Sequence, residues 1–87
     1  MSKSKKQLFQ VARLYIDALK SRFPGIEAEP ILDAFGFDLW IRIDLPPLLE
    51  ERNEEVTYAT TELNFKFWDE TGVNITATVE EKESAHG

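Results

Sequence analysis

Asp38 and Asp44 stand six residues apart in the run FDLWIRIDL. A metal site or an acid/base pair needs carboxylates that converge. Along an extended strand six residues span about 20 Å, so these two cannot share one ion or one substrate. Asp33 and Asp38 flank a turn and read as solvated turn residues. Glu50, Glu51, Glu54 and Glu55 form a charge run that reads as the wet face of a helix. A calcium loop would set oxygen ligands around a glycine turn, and that run has no glycine. Two-metal nucleotidyl transfer asks for a Gly-Ser turn and a D-x-D pair, and neither is present.

The single histidine, His86, is one residue from the end of the chain, where no second shell can hold its ring. Cysteine is absent, which excludes a disulfide framework, thiolate zinc and a cysteine nucleophile. The four glycines (Gly25, Gly36, Gly72, Gly87) belong to no phosphate-cradling loop. The residues therefore predict no catalytic constellation, no metal site and no cofactor: a protein that binds rather than an enzyme.

Two aromatic residues stand out instead. Read as strands, 37–45 and 62–69 place Trp40 and Trp68 on the face away from the core, with Arg42 and Lys66 as same-strand neighbours. Exposed tryptophan beside a cation is the composition of interface hot spots. Three readings compete for that face: a protein interface, simple packing of each indole on its neighbours, and a base-stacking platform for single-stranded nucleic acid. Charge weighs against the third. Asp38, Asp44, Glu62, Glu70 and Glu80 oppose Arg42 and Lys66 there, and a net negative face repels phosphates. Nucleic acid would instead meet the basic N-terminal helix, through Lys3, Lys5, Lys6, Arg13 and Lys20. Residues 1–25 carry six basic residues and one acid, whereas residues 26–87 carry four basic residues and fifteen acids.

The elements that position these residues follow from periodicity. Apolar side chains at Leu8, Val11, Ala12, Tyr15, Leu19 and Phe23 recur at helical spacing over 4–22. Ser2 or Ser4 can cap the start, and Pro24-Gly25 stops the helix. The N-terminal lysines precede Gln10, Arg13 and Asp17, not a signal peptide's apolar run. Residues 26–33 alternate but contain Pro30, which confines them to an edge strand. Asp33-Ala34-Phe35-Gly36 has turn chemistry. Residues 37–45 alternate strictly, with Phe37, Leu39, Ile41, Ile43 and Leu45 on one face, and predict a central strand. Pro47 and LLEERNEE predict a helix over 47–59, although VTYATT also suits a strand. Leu63, Phe65 and Phe67, then Val73, Ile75, Ala77 and Val79, predict a hairpin over 62–69 and 73–80, turning at Asp69–Gly72.

The expected fold is α+β: a two-layer sandwich in the order α-β-β-α-β-β, with helices on one face of an antiparallel four-stranded sheet. Residues 1–80 form one domain and 81–87 a frayed polar tail. At 87 residues such a domain buries roughly 60–65% of its unfolded surface, enough for one modest core. No apolar run reaches the length of about 18 residues that a membrane helix needs. The absence of cysteine fits the reducing cytoplasm. The chain reads as a small, acidic, soluble module that contacts itself or another protein through the outer sheet face. The runner-up is a nucleic-acid-associated regulator working through its first helix.

Overall fold

A computed structural model describes residues 4–33 and 36–81. The N-terminal residues including Lys3, the turn residues Ala34 and Phe35, and residues 82–87 with His86 lie outside the described part. Helix α1, Lys5–Arg22, starts where the Ser4 side chain accepts the Gln7 N–H at 3.1 Å. Lys20 and Arg22 occupy its last turn, where the helix dipole favours cations. Strand β1, Glu27–Leu32, runs into a turn that Asp33 opens at φ 56. Strand β2, Leu39–Leu45, follows, and its alternating burial matches its alternating sequence. A 3₁₀ segment, Pro47–Arg52, leads into helix α2, Asn53–Thr71. Gly72, at φ 74, caps α2 in the left-handed conformation and donates its N–H to the Trp68 carbonyl at 2.9 Å. Strand β3, Ile75–Glu81, completes the fold.

The order is thus α-β-β-α-β, and the sheet has three strands in the order β1-β2-β3. β1 pairs antiparallel with β2, and β2 pairs parallel with β3. This corrects the expected antiparallel four-stranded sheet. Residues 62–69 are not a strand but the C-terminal half of α2, and residues 73–80 have no hairpin partner. The physical cause lies in the spacing. Val56, Ala59, Thr60, Leu63 and Phe67 are all buried, at helical intervals. The Leu63-Phe65-Phe67 alternation is real in sequence, but Phe65 faces solvent. The helix predicted over 47–59 begins as a 3₁₀ segment and continues twelve residues further, to Thr71. With α2 as the crossover, β3 must return parallel to β2.

One core lies between the helices and one sheet face. Tyr15, Leu19, Phe23 and Ile26 meet Leu39, Ile41, Ile43 and Leu45 beneath Val56, Ala59, Leu63 and Phe67. Burying each large apolar side chain contributes about 1.5–3 kcal/mol. Asp38 ties the start of the parallel pair together, since its carboxylate accepts the Asn74 N–H at 3.0 Å and its own N–H donates to the Asn74 carbonyl at 3.0 Å. Among the described residues no helix is long and apolar enough to cross a membrane.

Candidate functional site

The open face of the sheet carries Trp40 and Arg42, as their positions on the alternating strand require. Register places Ile31 and Thr76 beside Trp40, Glu29 and Thr78 beside Arg42, and Glu27 and Glu80 beside Asp44. Trp40 is half-buried, and its indole N–H donates to the Thr78 hydroxyl at 2.9 Å. Arg42 lies between Glu29 at 3.8 Å and Glu80 at 3.6 Å, and its Nε has no hydrogen-bond acceptor. Both side chains are thus engaged within the sheet. The face holds four acids against one arginine. Although Glu27, Asp44 and Glu80 share one row, no group of acids or histidines among the described residues is close enough to hold a metal ion.

Trp68 and Lys66 belong elsewhere. Both are exposed on α2, across the sheet from Trp40, so the expected four-residue patch of Trp40, Trp68, Arg42 and Lys66 does not form. The reason is the helix over 62–69, which rotates successive residues by 100° rather than 180°.

That rotation assembles a different surface. Tyr58, Thr61, Phe65 and Trp68 follow one another at intervals of three and four, which places them on one flank of α2. Tyr58 is 74% exposed, Phe65 71% and Trp68 53%. Three large aromatics left this open on one helix flank are uncommon in a domain that must bury apolar area to fold. Beside them, Thr61, Asn64, Phe65 and Trp68 form one wall of a groove of about 330 Å³, and Asn74 and Ile75 at the start of β3 form the other. No charged side chain lines this groove, whereas Glu54 stands beside Tyr58 and Thr61 one turn earlier. Glu62, Lys66 and Asp69 lie beside Phe65 and Trp68 on the side away from the groove, and there Glu62 pairs with Arg22 of α1 at 3.3 Å.

The groove adjoins the outer edge of β3, which has no neighbouring strand among the described residues. The two sheet edges differ in chemistry. β1 carries Pro30, which has no N–H to offer, and exposed Glu27 and Glu29. β3 reads ITATVEE, with neither proline nor lysine and with its two glutamates only at the end. Proline and charge are the usual means of keeping an edge from pairing. Proline guards β1 alone, and charge reaches only the end of β3.

The nucleic-acid candidates Lys5, Lys6, Arg13 and Lys20 are all exposed on α1, with Asp17 among them and Phe9 exposed nearby. Compared with known protein families, with characterised proteins and with solved structures, the chain matches none.

Sequence reasoning missed Tyr58 and Phe65. The signal was present: once 53–71 is read as a helix, the aromatics not needed for the core fall on one side.

Proposed function

We propose that the protein is a binding module that works through contact with protein, and that its contact surface is the α2 flank of Tyr58, Phe65 and Trp68 with the adjoining groove. The observation that carries this reading is the exposure of those three aromatics beside a groove with no charged lining residue, in a chain that is 30% charged. Aromatic residues are enriched and charged residues depleted at the centre of protein interfaces. Trp40 and Arg42 take a supporting role, since the Trp40 indole N–H is hydrogen-bonded to Thr78 and the Arg42 guanidinium is ion-paired to Glu29 and Glu80 within the sheet.

The test is a photoreactive phenylalanine analogue placed at position 65 in cells that make the protein, with a matched probe at Leu48. Leu48 is 91% exposed but lies apart from the flank, on the 3₁₀ segment. A discrete protein adduct at 65 and none at 48 supports the reading. Equal labelling at both positions overturns it. Adducts to nucleic acid, lost when Lys5, Lys6, Arg13 and Lys20 are replaced by Gln, would transfer the function to α1.

A further inference from the structure

We infer that the partner is a second copy of this chain: two copies join β3 to β3 in antiparallel register and bring their α2 flanks together over the extended sheet. The inference rests on the binding surface proposed above and names its occupant.

The backbone makes the edge ready for this. Asn74 directs its carbonyl and its N–H toward Asp38, on the β2 side. In a strand the polar groups of successive residues alternate sides. Ile75, Ala77 and Val79 therefore direct theirs outward, to the free edge. An antiparallel partner exchanges hydrogen bonds with just such alternate residues.

Side chains select the register. Centred on Ala77, the pairing sets Ile75 against Val79 of the second copy and Thr76 against its Thr78. β-branched residues meet β-branched residues, which is the favoured cross-strand match. Glu80 and Glu81 then lie opposite Asn74 and Val73 of the second copy, so no glutamate faces another. A shift by one residue in centre sets Ile75 against Glu81 and Thr76 against Glu80.

A two-fold axis through Ala77 and normal to the sheet keeps both α2 helices on one side. The groove flank of each helix looks past its own β3 toward the other copy. Self-association brings like against like, so in a chain of net charge −6 a groove without a charged lining residue is the electrostatically suitable face. Area agrees as well. An aromatic side chain buries about 150–250 Å², so at the observed exposures Tyr58, Phe65 and Trp68 offer roughly 400 Å² per copy. That is about 800 Å² for two copies, short of the roughly 1,200 Å² of a stable interface. The paired β3 strands, with Thr61, Asn64 and Asn74, supply the remainder. Either part alone is too small, which is why strand edge and aromatic flank belong to one interface.

The decisive experiment is sedimentation equilibrium of the full chain from micromolar to millimolar concentration, for the parent, Trp68→Ala and Ala77→Pro. Proline at 77 removes an outward N–H and leaves the β2 ladder intact. Each variant is expected to weaken the dimer at least tenfold while its circular dichroism stays that of a folded chain. A dimer weakened by Trp68→Ala but not by a folded Ala77→Pro overturns the strand pairing and leaves the α2 surface standing. A monomer at every concentration overturns self-association. The crosslink at position 65 then decides separately whether the flank binds another protein. Should Ala77→Pro fail to fold, amide exchange of the parent replaces it. The Ile75, Ala77 and Val79 amides must exchange more slowly as concentration rises, and concentration-independent rates overturn the pairing.

Discussion

The chain's two tyrosines occupy opposite environments. Tyr58 is exposed on α2. Tyr15 is fully buried, and its hydroxyl donates toward Asn64 Oδ1 at 2.6 Å and the Thr60 carbonyl at 3.3 Å. It thereby couples α1 to α2, and its ring lies 5.6 Å from that of Phe67. Burial disfavours the phenolate and raises the Tyr15 pKa well above its ordinary value. A raised acid keeps its full contribution to stability below the unfolded pKa of about 10. Above that pH the unfolded chain sheds a proton that the folded chain retains, so stability falls as pH rises. Tyr15→Phe is expected to cost about 1–3 kcal/mol near neutral pH, because the buried Thr60 carbonyl and the partly buried Asn64 side chain lose their shared donor. It should also flatten the alkaline decline. Urea denaturation of both proteins at pH 8 and 10.5 checks this: an equal alkaline loss in parent and variant would remove Tyr15 as its cause.

At the scale of the element, α1, β1 and β2 were legible because their patterns are unmixed. β2 alternates without interruption, and the structure makes it the central strand. Its Leu39, Ile41 and Ile43 amides are expected to exchange only through global opening, more slowly than the amides of β1. Comparable rates in the two strands would contradict that ranking. α2 was misread for an instructive reason. Its buried stripe of Val56, Ala59, Leu63 and Phe67 is helical, but Phe65 is apolar on the wet side and writes a period of two with Leu63 and Phe67 over the same residues. Phe65, one of the three exposed aromatics, is thus the residue that disguised the helix carrying it. Tertiary packing overrode the β-branched run VTYATT in the same segment. Gly72 fixes where α2 ends. No neighbour would obstruct a methyl group there, yet its φ of 74 strains any side-chain-bearing residue. Gly72→Ala should therefore cost about 1 kcal/mol through backbone conformation alone. A loss several times larger in thermal unfolding would indicate a packing role.

Across the whole molecule, charge is segregated: α1 is basic, and the outer sheet face and the start of α2 are acidic. Sequence alone made this asymmetry visible. It could not show which surface escapes charge, because that depends on which helix residues turn outward. The balance matters for the proposed association, since two copies each of net charge −6 repel at long range while the groove that would meet its copy has no charged lining residue. With centres on the order of 25 Å apart in water, that repulsion is about 6 kcal/mol before screening. Raising salt from about 0.01 to 0.1 M shortens the Debye length from about 30 to about 10 Å and removes on the order of 1–2 kcal/mol of it. The dimer is therefore expected to tighten with salt, about tenfold in Kd over that range. Nucleic-acid binding through α1 would respond in the opposite sense, because phosphate contacts release counterions and weaken as salt rises. Sedimentation equilibrium at the two ionic strengths reads the sign directly. Self-association that loosened with salt would mean that the basic α1 face of one copy docks on the acidic surface of the next, and would displace the α2–β3 interface.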